Sequence, residues 1–229
     1  MPTVLVAGAT GAVGTVLVPY LRAQGFTVLP HVRPKTAARH PLGKDPDAQV
    51  FELSDSAALD RAVARAQTVV CLVGTMRRRF AAGDTYESSD FQPVKDLVAS
   101  SLRQPAPPHF VLLSAYGVRP GSSGYLGWKF RAEEAVRQSG LRYAVLRPSF
   151  LDSTATGSQP SDGRPRTPPP LLGSALRLAG RVPGLAGLAD DLRPIPLDVL
   201  SRAIARIVRD AAPTASTLTG RQLWQAASL

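Results

Sequence analysis

The sequence predicts an α/β fold built on a doubly wound, parallel β-sheet. Three observations predict it. A short apolar run from Thr3 ends in a glycine turn that opens a helix, and strand-like and helix-like segments alternate from there to about residue 150. The run Thr68 to Val73 is apolar enough to suit a central strand covered on both faces. Right-handed crossovers between such strands give a parallel sheet with helices on both sides. At 229 residues, 44% hydrophobic and 19% charged, the chain can bury a full core and reads as one domain, residues 1–229. Residues 151–192 are expected to form a small C-terminal region, a substrate-side loop and lid.

The elements follow in order. Thr3 to Ala7 is a strand, and Val13, Leu17 and Leu21 recur every four residues along the helix that follows, which ends near Gly25. Phe26 to Val32 is the second strand. Pro34, Pro41 and Pro46 forbid a continuous helix in the next link. The third strand lies near Gln49 to Leu53, and Ser54 or Asp55 caps a helix carrying Leu59 and Val63. After the central strand come a helix marked by Phe91, Val94, Leu97, Val98 and Leu102, a strand at His109 to Ala115, a helix at Gly124 to Gln138 and a strand at Arg142 to Leu146. Ser153 to Pro170 is rich in Ser, Gly and Pro and reads as a long loop, with an amphipathic helix around Leu171 to Leu178. A last helix carries Leu200, Ile204 and Ile207 or Val208, and Gln222 to Gln225 suggests a short edge strand.

The net charge of +10, from 27 basic and 17 acidic side chains, favours anionic partners such as a phosphorylated ligand. The arginines are spread along the chain and no recognition module is legible, so no specific nucleic-acid partner is expected. The single cysteine, Cys71, excludes an internal disulfide and a multi-cysteine zinc site, and the three histidines have no metal-ligand spacing, so no metal is expected. No run of eighteen apolar residues suggests a membrane span and no signal-peptide pattern opens the chain, which gives a cytoplasmic expectation.

Gly8, Gly11 and Gly14 stand at three-residue intervals between the first strand and its helix. Glycines there permit the tight turn, and with Thr10, Ala12 and Val13 they present helix-terminal N–H groups to a pyrophosphate, as in a Rossmann-like dinucleotide site. The end of the second strand should face the adenosine ribose. No acid stands between Val28 and Lys44 to take the 2′-hydroxyl of NAD, whereas Arg33 is placed to stack on adenine or clasp a 2′-phosphate. NADP(H) is therefore expected over NAD(H); the plain alternative is a solvated loop arginine.

At this point the chain resembles the short-chain dehydrogenases/reductases, whose glycine spacing it shares. Val69 to Thr75 (VVCLVGT), Leu112 to Val118 (LLSAYGV), Tyr125 to Lys129 (YLGWK) and Leu146 to Ser149 (LRPS) are similar to the atypical NAD(P)H-binding branch, which includes NmrA-like regulators and Tat-interacting-protein-like reductases. The resemblance spans residues 3–150, and 195–207 more loosely. It implies that Gly74 and Thr75 line the nicotinamide ribose, that Ser114 orients substrate, that Tyr125 and Lys129 are the reductase pair with Lys129 also on the ribose, and that Pro148 to Phe150 border the carboxamide. The residues by themselves are coherent with this. Tyr125 and Lys129, four apart on a helix, emerge on one face, and an ammonium beside a phenol favours its ionised form, so Tyr125 can serve as general acid while Ser114 holds a carbonyl oxygen.

The chain also departs from the pattern. It has no asparagine at all, so the relay asparagine of well-studied relatives has no counterpart, and Ser88, Ser89 and Gln92 lie in that region without an assignable role. Arg77, Arg78 and Arg79 follow the fourth strand on the ligand side, and Trp128 and Phe150 are candidate pocket walls. The expected function is an NADPH-dependent oxidoreductase reducing a carbonyl or quinone, with a small molecule, anionic or a quinone, as substrate, through Ser114, Tyr125 and Lys129. The alternative is an NADP(H)-binding regulator or assembly factor without turnover. A nucleotide-sugar isomerase or dehydratase fits less well, because the chain after Phe150 is short. Oligomeric state is left open.

Overall fold

A computed structural model describes residues 1–74, 83–152, 190–210 and 215–228. Seven strands form one sheet: β1 (Thr3–Ala7), β2 (Thr27–Val32), β3 (Gln49–Val50), β4 (Thr68–Cys71), β5 (His109–Leu113), β6 (Tyr143–Arg147) and β9 (Ala215–Thr219), in the order β3-β2-β1-β4-β5-β6-β9. Every neighbouring pair in it is parallel. The helices are α1 (Gly14–Ala23), α2 (Pro34–Ala37), α3 (Ser56–Ala64), α4 (Gln92–Leu102), α5 (Gly124–Arg137), α6 (Leu197–Asp210) and α7 (Gly220–Ser228). The strand order reverses beside β1, so the ends of β1 and β4 splay into a crevice where such sheets bind ligands. The doubly wound, Rossmann-like expectation holds.

The alternation of side chains along each strand builds two apolar layers. Val4, Val6, Val70, Val111 and Ala144 face one side, against Leu17 and Leu21 of α1 and Leu200, Ile204 and Ile207 of α6. Leu5, Ala7, Val69, Cys71, Phe110, Leu112 and Val145 face the other, against Leu59, Val94, Leu97 and Val136 of α3, α4 and α5. A strand sandwiched in this way is buried at every position, which is why β4 and β5 are apolar from Val69 to Cys71 and from Phe110 to Leu113.

The prolines of the link after β2 start short turns of helix: Pro34 opens α2 and Pro41 opens a single 3₁₀ turn to Lys44. Asp55 is the N-cap of α3, its carboxylate accepting from the Ala58 amide at 3.0 Å. One expectation is corrected. Residues 222–225 are helical, within α7, and the edge strand precedes them as β9. Leu223 is fully buried and Trp224, Ala226 and Ala227 pack on the core, a helical spacing that a strand could not satisfy. The chain beyond β6 is tied back by a two-stranded parallel sheet, β7 (Leu151–Asp152) with β8 (Ile195–Pro196), and by the Ser149 hydroxyl donating to the Arg193 carbonyl at 2.7 Å. The expected loop at 153–170, the helix at 171–178, Thr75 and Arg77 to Arg79 lie outside the described residues. Among the described residues no helix is long and apolar enough to cross a membrane, and no cluster of His, Cys, Asp and Glu could hold a metal ion.

Candidate functional site

A cleft of about 420 Å³ runs across the carboxyl ends of the strands. At one end lies the turn after β1. Gly8 has φ +87°, a conformation L side chains rarely adopt, and a Cβ there would approach the backbone of Leu72 and Val73 at 3.0 and 3.1 Å. The Gly11 amide donates to the Gly8 carbonyl at 3.0 Å and closes the turn. A Cβ on Gly14 would sit 2.5 Å from the Gly8 oxygen, so only glycine lets the helix start directly over the turn. The helix opens without a side-chain cap and without an acid in its first turn. Its positive end therefore faces the cleft unopposed, which is what a pyrophosphate needs. Gly8, Thr10, Gly11, Val13 and Gly14 line the cleft; Ala12 is not among its lining residues.

Beyond the turn, His31, Arg33, Glu52, Leu53 and Ser54 form the wall at the ends of β2 and β3. The His31 Nε2–H donates to the Phe51 carbonyl at 2.9 Å, and the ring stands 4.7 Å from that of Phe51. Burial lowers the His31 pKa to about 4, so the ring is neutral. Arg33 is extended at the N-cap of α2, immediately before Pro34.

At the other end of the cleft stand Gly74, Leu113, Ser114, Tyr125 and Lys129. The Tyr125 ring lies 5.8 Å from the Tyr86 ring and 5.9 Å from the Lys129 ammonium. Lys129 is only 4% exposed, and its Nζ pairs with Asp90 Oδ1 at 3.0 Å and donates to the Leu113 and Val73 carbonyls at 3.3 and 3.5 Å. Burial works against the charge on Lys129, but the attraction of Tyr125 and Asp90 outweighs it and holds the ammonium above its ordinary pKa. Ser114 is buried and donates its hydroxyl to Glu133 Oε1. Glu133 is fully buried and also accepts from Arg147 Nε at 2.9 Å, Arg147 Nη2 at 2.6 Å and Arg137 Nη2 at 2.5 Å.

Pro148 and Phe150 are not among the lining residues: the Pro148 carbonyl accepts the Tyr116 amide, and Phe150 is 42% exposed. Trp128 packs against Phe91 and Arg131 and is not among the lining residues. A second depression, of about 690 Å³, lies between Arg193, Arg221 and Trp224 and contains none of the glycine-turn or Tyr125–Lys129 groups.

The sequence reading missed Asp90 and Glu133. Both carried a signal. Asp90, Val94, Leu97 and Ser101 repeat at helical spacing and are all fully buried, so an acid stood on a core stripe. Glu133 follows Lys129 by one further helical turn, again on the buried face of α5. A carboxylate on an apolar stripe requires a cation or donor from elsewhere in the fold.

A family model described as NAD(P)H-binding matches residues 8–168, from the glycine turn to beyond β6. The chain belongs to this NAD(P)H-binding family. The chain is 27% identical over 175 residues to Protein TIC 62, chloroplastic, of Arabidopsis thaliana, covering 65% of this chain and 27% of that protein. The chain thus spans about a quarter of the length of this curated relative. Among solved structures it is similar to a short-chain dehydrogenase/reductase superfamily protein of Agrobacterium tumefaciens with bound NAD, with TM-score 0.65 and 20% identity over 94% of this chain and 76% of that one. It is also similar to dTDP-4-dehydrorhamnose reductase of Bacillus anthracis in complex with NADP, with TM-score 0.59 and 13% identity over 96% and 75%. The atypical short-chain dehydrogenase/reductase resemblance stands for this NAD(P)H-binding member, whose fold is shared by proteins that hold NAD and proteins that hold NADP.

Proposed function

We propose that the protein is an NADPH-dependent oxidoreductase that reduces a small carbonyl or quinone substrate. The observation that carries this reading is that one cleft joins the glycine turn at the head of α1 to Tyr125 and Lys129, with a buried ammonium 5.9 Å from the phenol ring. A bound NADPH supplies the hydride. Gly8, Gly11 and Gly14 seat its pyrophosphate, and the glycine at 74 leaves room beside Lys129 for the ribose. Tyr125 holds a proton at its phenol oxygen for the developing alkoxide, and Lys129 favours the phenolate left behind. Arg33, at the end of β2 where no acid stands between Val28 and Lys44, supports recognition of the 2′-phosphate over a 2′-hydroxyl, although Glu52 at the end of β3 lines the same wall.

Ser114 enters this scheme differently from the expectation. Its one hydrogen goes to Glu133, so it offers lone pairs to the cleft and must turn its hydroxyl to hold a carbonyl oxygen. That commitment favours a second reading, an NADP(H)-binding regulator without turnover.

The test is NADPH oxidation across a panel of aldehydes, ketones and quinones, in wild type and Tyr125→Phe. The oxidoreductase reading expects substrate-dependent oxidation, with the variant slowed by about a hundredfold or more at nearly unchanged NADPH affinity. Wild-type rates retained by Tyr125→Phe would remove the phenol from the chemistry. Replacing Arg33 with Ala should weaken NADPH far more than NADH; equal losses would argue against 2′-phosphate recognition.

A further inference from the structure

The buried acid beneath Lys129 has no place in the mechanism above. Asp90 is fully buried, yet it lies on the segment that enters α4, where a polar side chain would ordinarily face solvent. Local backbone geometry turns it inward. Glu87–Phe91 is a π-helical turn, in which the Gln92 amide reaches back five residues to the Glu87 carbonyl. Pro93 directly follows that turn within α4; it has no N–H to give the Ser89 carbonyl, and its ring crowds that carbonyl in a regular α-helix, so the wider turn suits the sequence. The turn places the Asp90 carboxylate against the end of β4.

The contacts there are tightly specified. A Cβ on Gly74 would come within 3.2 Å of Asp90 Oδ1 and 3.4 Å of Lys129 Nζ, so the glycine leaves just enough space for the pair at the cleft floor. With Asp90 at 3.0 Å and the carbonyls of Leu113 and Val73 beyond it, each of the three ammonium hydrogens has an acceptor. The ionisable groups around the ammonium are Asp90 from the π turn, Tyr125 from α5 and the Cys71 thiol from β4. Burial pushes the Cys71 thiol up to about 11, so it carries no charge near neutral pH. Asp90 is therefore the fixed counter-charge at neutral pH.

We infer that Asp90 is a positioning residue, a buried counter-ion that keeps Lys129 charged and aimed at the nicotinamide ribose in a site that would otherwise discharge it. It acts by charge. This inference rests on the dinucleotide reading of the cleft.

The test is NADPH affinity measured by calorimetry from pH 7 to 9.5 in wild type, Asp90→Asn and Lys129→Met. Asparagine keeps the shape and one oxygen acceptor, removes the charge and exchanges the other oxygen for an NH₂. Wild type should vary by less than about threefold, because Lys129 stays protonated throughout; Asp90→Asn should bind nearly as well at pH 7 and lose about tenfold or more by pH 9.5, as the unpaired buried ammonium gives up its proton. Lys129→Met should be weak at every pH with a profile parallel to wild type, which identifies Lys129 as the titrating group. A purely structural Asp90 would shift all affinities together, and an Asp90→Asn profile parallel to wild type would overturn the inference. Should Asp90→Asn fail to fold, Asp90→Ser, smaller and still polar, gives the same readout. Wild type that binds no NADPH at any pH would instead overturn the dinucleotide reading itself.

Discussion

Replacing Glu133 with glutamine removes the charge from a fully buried carboxylate shared by three side chains. The substitution is nearly isosteric, so the loss can be worked from hydrogen bonds. Oε2 accepts from Arg147 Nη2 and Arg137 Nη2, and an amide nitrogen there would face two donors. Glutamine will therefore place its NH₂ at the Oε1 position, where Ser114 can rotate to accept from it but the Arg147 Nε–H at 2.9 Å is left without an acceptor. One charge-assisted bond is lost, at about 1.5–3 kcal/mol, and Arg147 loses its counter-charge, while Arg137 keeps Glu134 at 2.9 Å. Breaking a wholly buried ion pair costs about 3–5 kcal/mol, but Arg147 and Arg137 remain 20% and 26% exposed and water screens part of that. The expected loss is about 2–4 kcal/mol, which at about 2–4 °C per kcal/mol for a chain of this size is a fall in Tm of roughly 5–15 °C. Urea unfolding followed by tryptophan fluorescence measures it at pH 7. A loss below about 0.5 kcal/mol would refute the reasoning, since it would mean that solvent already satisfies the two arginines.

Three further outcomes are expected. Burial holds His31 and His109 neutral, with pKa values lowered to about 4, and both ring nitrogens of His109 are buried without a hydrogen-bond partner among the described residues. The unfolded chain takes up those protons near pH 6.5 and the native one only near 4, so stability is complete above 6.5 and is lost as pH falls; between pH 7 and 5.5 each histidine should cost about 1 kcal/mol. Urea midpoints at the two pH values check this, and a flat response would contradict it. Gly14→Ala should lower NADPH affinity at least about tenfold and stability by about 1–3 kcal/mol, because the added Cβ must displace the Gly8 and Ala9 carbonyls; calorimetry showing wild-type affinity would count against the cradle. Cys71, fully buried and with its thiol pushed up to about 11, should resist maleimide at pH 8 until urea unfolds the chain. Labelling of the native protein would show that the central strand opens.

Most of the sheet was legible because parallel strands buried on both faces carry an unbroken apolar signal, as Val69, Val70 and Cys71 do. The edge strand β9 was not. Its residues Ala215–Thr219 are only partly buried, with Leu218 the one large apolar side chain, whereas Leu223 and Trp224 just beyond drew the strand expectation and belong to a helix. The turn through Gly8, Gly11 and Gly14 was legible because much of it is local, the space at Gly14 depending on Gly8 and Ala9, whereas the approach of Gly8 to Leu72 and Val73 and the absence of Ala12 from the cleft lining were not. That Tyr125 and Lys129 share one helix face was legible for the same reason, the two being one helical turn apart, and both line the cleft. Asp90 and Glu133 were not, because the meaning of each lies in partners on other elements: Lys129 of α5 for Asp90, and Arg147 of β6 and Ser114 beyond β5 for Glu133. Nor could the sequence show that the hydrogen of Ser114 is already spoken for.

The proposed function places a nicotinamide dinucleotide in the cleft above β1 and β4, with its 2′-phosphate at Arg33. Calorimetric titration of the purified protein with NADPH and with NADH at pH 7 tests it most directly. Saturable binding of one NADPH per chain, clearly tighter than NADH, is the predicted result; no binding of either dinucleotide would contradict the account.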